Sequence, residues 1–145
     1  MFFSCPPYAD LEVYSDNEKD LSTMEYDKFI EAYREIIKKG CNKLKDDRFA
    51  VFVVGEVRDK KGNYYNFVGD TINAFIDCGM NYYNEIILAT AIATAPMRAS
   101  KNFETRKNVK VHQNVLVFYK GDPKKIKENY KEIIIEDLDK FIEAE

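Results

Sequence analysis

The sequence has one histidine, His112, so a His-rich metal site or a Cys/His zinc module lacks the ligands it needs. Its three cysteines, Cys5, Cys41 and Cys78, are odd in number and far apart. That pattern reads as reduced thiols in a cytosolic protein, not as a disulfide framework. No Gly-x-Ser-x-Gly elbow accompanies the histidine, which leaves a Ser-His-Asp hydrolase without its nucleophile turn. The longest apolar stretches, 49–54 and 86–95, are too short to span a bilayer, so no membrane partner is expected. The opening Met-Phe-Phe-Ser-Cys-Pro-Pro shows no basic region followed by a small-residue cleavage site, so no signal peptide is read there. Neither sign of charge dominates: 22 basic residues stand against 25 acidic ones, a net charge of −3. A globally basic nucleic-acid coat is thereby excluded, but a local basic face is not.

What remains is material for one compact domain: 145 residues, 46% hydrophobic and 14% aromatic. Residues 23–44 read as a helix, with Ser22 and Glu25 spaced as a capping box and Tyr26, Phe29, Ile30, Tyr33, Ile37, Cys41 and Leu44 at helical intervals. Gly40 weakens that helix or ends it early. The run Arg48-Phe-Ala-Val-Phe-Val-Val-Gly-Glu-Val-Arg58 reads as a strand covered on both faces. Residues 59–63 have turn composition, and 67–78 form a shorter helix ended by Gly79. Residues 82–95 read as a long strand limited by Pro96, 97–108 as a polar loop, and 109–119 as a second apolar strand. Asp122-Pro123 opens a Lys/Glu-rich helix. Residues 133–135 and 138–142 form a small apolar patch. Strands alternating with helices give an α/β class.

The segment Ser4-Cys5-Pro6-Pro7-Tyr8 carries the chemistry. Two prolines remove two amide donors and fix φ near −65°, so nearby carbonyls can face a ligand. An aromatic ring directly after such a corner is placed to stack on a planar base, worth about 1–3 kcal/mol. An exocyclic amine is a poor nucleophile until acceptors engage its protons, and an extruded base must be held by its face. The segment resembles the catalytic motif of S-adenosylmethionine-dependent amino-methyltransferases: Asp, Asn or Ser, then Pro-Pro, then Tyr, Phe or Trp. The run from Phe3 to Asp16 resembles a group of phage and bacterial DNA methylases, and the likeness continues through 48–59, 83–88 and 106–121.

The resemblance implies a partial Rossmann-like methyltransferase sheet of about four strands, the last antiparallel, flanked by helices. Residues 1–121 would be the C-terminal, catalytic-motif half of a methyltransferase domain and 122–145 a helical tail. It further implies that the Pro6 carbonyl accepts from the target amine of adenine or cytosine and that Tyr8 stacks on the base. Cys5 departs from the pattern, a thiol being a weak acceptor, so Cys5 itself, Ser4 or a water must serve. The family's Phe-x-Gly-x-Gly cofactor loop has no counterpart, because no two of Gly40, Gly55, Gly62, Gly69, Gly79 and Gly121 lie two positions apart. Ser4 and Cys5 are the remaining candidates for cofactor contact. Gly55 followed by Glu56 reads as a bulge or close turn.

The expectation is therefore a base-handling half that binds S-adenosylmethionine weakly or not at all alone. Its first strand would pair with the 49–57 strand and be open on the other side, to be covered by a second copy, a separate cofactor-binding half, or residues after Lys124. Arg98, Lys101, Arg106, Lys107 and Lys110, opposed only by Glu104, form a candidate DNA face. Asp10, Glu12, Asp16, Glu18 and Asp20 make another part acidic, so DNA would approach from the 98–110 side. His112 and Gln113 read as packed strand residues, and the tyrosine pairs 64–65 and 82–83 as core or rim. The alternatives are a non-catalytic DNA- or partner-binding module derived from a methylase, and methylation of RNA or of a protein amide at the same corner.

Overall fold

The computed structural model describes residues 1–7 and 20–132. In chain order the elements are β1 (Phe2–Ser4), α1 (Tyr26–Lys43), β2 (Arg48–Val54), α2 (Phe67–Asp77), β3 (Asn81–Ala89), α3 (Ala95–Glu104), β4 (His112–Lys120) and the short α4 (Ile126–Asn129). The four strands form one sheet in the order β1-β2-β4-β3. β1 runs parallel to β2, and β4 lies antiparallel between β2 and β3. The last strand is thus the antiparallel one, in a sheet flanked by helices, as expected. Among the described residues β1 pairs on one side only, with Phe2 opposite Ala50 and Ser4 opposite Phe52.

α1 and α2 cover one face of the sheet. Phe29, Tyr33, Ile37 and Cys41 recur every fourth residue on α1 and are buried there. They meet Ala50, Phe52 and Val54, the alternate residues of β2, together with Phe67 and Phe75 of α2 and Leu116 and Phe118 of β4. Burial of each such side chain contributes about 1.5–3 kcal/mol. Phe75 stacks on Phe118 with ring centroids 4.0 Å apart, and Phe2 sets its edge against Phe52 at 5.0 Å. The helices are tied by Tyr26 Oη donating to Asp70 Oδ2 at 2.7 Å and by an Arg34–Asp77 ion pair. α1 continues through Gly40 because the Phe2 ring lies where a side chain would stand: a Cβ there would be 2.3 Å from Phe2 Cε1. Lys120 Nζ donates to the carbonyls of Cys41 and Leu44 and closes the helix.

The opposite face is partly covered, contrary to a strand enclosed on both sides. At its lower end Phe49 packs among the rings of Tyr83, Tyr119 and Tyr130, while Phe3 and Ile86 remain exposed.

Four sequence expectations change. The capping box does not form: Asp20 Oδ1 instead accepts from the amide and hydroxyl of Ser22, and α1 begins after Glu25. The 82–95 strand stops at Ala89, and the 97–108 loop is largely helix α3, because Pro96 occupies the first turn, where a missing N–H costs nothing. The last strand begins at His112 rather than at 109. Asp122 caps the turn before α4 as expected, but that helix ends at Asn129. The 133–142 patch lies outside the described residues. No helix among the described residues is long and apolar enough to cross a membrane.

Candidate functional site

Because β1, β2 and β3 run the same way, their carboxyl ends and the amino end of β4 share one rim of the sheet. Open α/β sheets bind ligands at such a rim. The Cys5-Pro6-Pro7 corner leaves β1 here. Pro6 is buried, Pro7 half-buried and Cys5 exposed, so the corner is anchored by its first proline and turns the thiol outward. Tyr8 lies outside the described residues.

Beside the corner Gly55 and Glu56 follow the end of β2. The Glu56 carboxylate reaches the start of α2, accepting from the amides of Phe67 at 3.1 Å and Val68 at 3.2 Å. A carboxylate at that point satisfies two donors left open by the helix and complements its dipole. The N-cap residue Asn66 is left-handed, with φ 72°, and makes no side-chain cap bond, so Glu56 does the capping from a distance. The turn that follows is fixed by Asp59, whose carboxyl is held below the usual carboxylate range, chiefly by the Asn63 amide. Arg58 then lies 3.8 Å over the ring of Tyr64, a cation–π contact.

Glu56 and Tyr64 line a cleft of about 420 Å³, with Lys110, His112 and Asn114 on its far wall. A second cleft of about 240 Å³ shares Glu56, Lys110 and His112 and adds Thr90 and Arg98. Loss of solvent draws the Lys110 ammonium below the usual lysine range, and the Glu56 charge partly offsets that. The rim thus combines a proline corner, a capped helix start, an aromatic plane and cations, a set able to hold a polar heterocycle.

The five cations expected to form a DNA face divide. Arg98, Lys101 and Arg106 are exposed. Lys107 is half-buried, its Nζ 2.6 Å from where a Cβ of Gly62 would stand, and Lys110 is half-buried in the clefts. His112 is a strand residue as expected, the first of β4, paired with Ala89 and half-buried, and it also lies at the rim, lining both clefts. Sequence reading missed Glu56 as a long-range cap and the Arg58–Tyr64 pair. The one available signal was an acidic residue directly after the glycine that ends a buried strand.

Gly40 is filled by Phe2, Gly62 by Lys107, Gly69 by Asn66 and Gly121 by Asp47, while Gly79 ends α2 with φ +79°. No two of the six glycines lie two positions apart, so the described residues offer no Gly-x-Gly cradle for the methionine end of S-adenosylmethionine.

Neither a protein-family profile nor any curated protein sequence matches the chain. Among solved structures the fold is similar to TTHA0409 of Thermus thermophilus, a candidate DNA modification methylase. Its S-adenosyl-L-methionine complex superposes with a TM-score of 0.57 at 18% identity, covering 96% of this chain and 52% of that one. A second structure of the same protein gives 0.58 at 18% identity, covering 96% and 50%. The selenomethionine derivative gives 0.54 at 17%, covering 79% and 44%. At this identity the likeness establishes the fold, and the chain spans about half the length of the chains it matches.

Proposed function

We propose that this chain is the base-handling half of an S-adenosylmethionine-dependent DNA methyltransferase acting on the 6-amino group of adenine or the 4-amino group of cytosine. One observation carries the reading: the Cys5-Pro6-Pro7 corner leaves β1 at the rim where the clefts and the exposed cations also lie. The similarity to a fold crystallised with S-adenosyl-L-methionine supports it. In this reading the Pro6 carbonyl accepts from the amine of an extruded base, Tyr8 stacks on its face, and Arg98, Lys101 and Arg106 meet phosphates. Cys5 stands where the family has a stronger acceptor, so the amine is engaged less firmly than in relatives with Asp or Asn.

Residues 1–121 would supply this half, with 122–145 as an appendage. The methyl donor is held by a glycine-rich segment of a separate cofactor-binding half, paired along the open side of β1. A second copy on that edge is the other arrangement.

Calorimetric titration with S-adenosylmethionine tests the proposal, on the chain alone and after mixing with a polypeptide bearing a Phe-x-Gly-x-Gly strand. Binding that appears only in the mixture, with methyl transfer to duplex DNA, supports a split enzyme. Ordinary methylation by the pure chain would overturn it. DNA binding without any rescued cofactor binding would favour the non-catalytic module.

A further inference from the structure

α3 is a ten-residue helix that buries none of its side chains. Helices of this length ordinarily hold their place by covering an apolar stripe. α3 instead leaves Met97 83% and Phe103 58% exposed. Arg98 ties its first turn to the segment before β4, and its last turn is closed locally. Arg98 donates to the Lys110 carbonyl at 3.4 Å and to Thr94 Oγ1 at 3.3 Å. At the far end the amides of Arg106 and Lys107 close on the carbonyls of Phe103 and Asn102. Helical spacing sets Met97 and Lys101 on one side, while Arg98 and Asn102 share another, with Asn102 Nδ2 donating to the Arg98 carbonyl at 2.7 Å. Arg106, in the turn that closes the helix, has a left-handed backbone with φ 58°, a position that glycine fills most easily. An exposed arginine occupies that position at a conformational cost.

We propose that α3 enters a groove of duplex DNA, with Met97 and Phe103 in apolar contact with bases and Lys101 and Arg106 on the flanking phosphates. This rests on the DNA-acting reading above and adds the element that reads the duplex. Charge selects the occupant: Arg98, Lys101 and Arg106 are exposed cations on the helix and its closing turn, and Glu104 is the one acid on the helix. A protein surface complementary to two exposed apolar side chains does not call for three neighbouring exposed cations, whereas a nucleic-acid groove does. The major groove admits a helix, and apolar side chains wedge between base steps in many DNA-bending proteins. α3 joins β3 to β4 at the same rim as the proline corner, so a duplex lying on α3 lies over the site.

The test is binding of a fluorescent duplex by the full chain across a salt series, with M97A/F103A and R106G beside the wild type. Thermal melts serve as the fold control, since all three side chains are exposed. Wild type should bind with a salt-dependent constant. M97A/F103A should weaken binding about tenfold at every salt concentration with the slope unchanged, because apolar contacts release no counterions. R106G should reduce the slope by about one, the loss of one phosphate contact. A double variant that binds like wild type overturns the role of α3 while leaving the DNA reading intact. A wild-type chain that does not bind duplex DNA overturns both. Loss of association with a protein partner, at unchanged DNA affinity, would overturn the proposal in favour of a protein interface.

Discussion

Replacing Glu56 with alanine should unfasten the start of α2. The carboxylate is the acceptor for two consecutive amides, at 3.1 and 3.2 Å, and Phe67, the owner of one of them, is fully buried. Asn66, the residue at the cap position, contributes no side-chain cap bond in its place. Losing a helix cap costs about 1–2 kcal/mol, and a donor stranded away from water about 1–3 kcal/mol. Allowing for water entering from the adjoining cleft, we expect about 2 kcal/mol for E56A. E56Q keeps one carbonyl oxygen but loses the charge, so it should cost about half as much. For a chain of this size each kcal/mol moves the melting midpoint by roughly 2–4 °C, so E56A should melt about 4–8 °C lower. Circular dichroism melts measure the shift, and hydrogen exchange at the Phe67 and Val68 amides localises it. In both variants Lys110 loses the charge that offsets its burial and should titrate lower still. An E56A protein within about 0.5 kcal/mol of wild type, or faster exchange spread evenly over α2, would refute this account of the cap.

Gly40→Ala should destabilise although alanine favours helix by about 1 kcal/mol, because the added methyl meets the Phe2 ring at 2.3 Å and repacking costs about 1–3 kcal/mol; denaturant melts of G40A decide the sign. Alkylation of the native protein followed by mass spectrometry should label exposed Cys5 first and buried Cys41 only on unfolding, since burial and the neighbouring Cys78 push the Cys41 thiol up to about 12. The folded state therefore holds that proton longer than the unfolded chain. Its contribution to stability is complete below pH 9.0, the thiol's ordinary value, and is lost as pH rises toward 12, a slope that C41A should lessen in alkaline melts. Cys5→Asn should raise methyl incorporation about fivefold in the reconstituted enzyme, a stronger acceptor being worth about 1 kcal/mol; an unchanged rate would remove Cys5 from the chemistry.

Much of the fold was legible because its signals are local. Phe29, Tyr33, Ile37 and Cys41 declare α1 by their spacing, and the apolar run through Phe52 declares β2. α3 was not legible, since a helix that buries nothing leaves no apolar period to read. Insertion of β4 between β2 and β3 is a long-range choice that no window of sequence carries. At the candidate site the proline corner could be read from the residue types alone, because proline acts on its own backbone. The partition of the five cations could not, since it depends on Gly62 and Glu56 lying across the fold from Lys107 and Lys110.

β1 is three residues long and is secured by one neighbouring strand and by the Phe2 ring seated over Gly40. Among the described strands it is the shortest and pairs with one neighbour, features that lower the cost of local opening. The bend that follows it therefore inherits its steadiness from whatever lies along the remaining side. In the proposed function, assembly and substrate capture would be thermodynamically linked: a companion that stiffens this short ribbon would tighten the grip on the nucleobase, and an engaged nucleobase, by reciprocity, the grip on the companion.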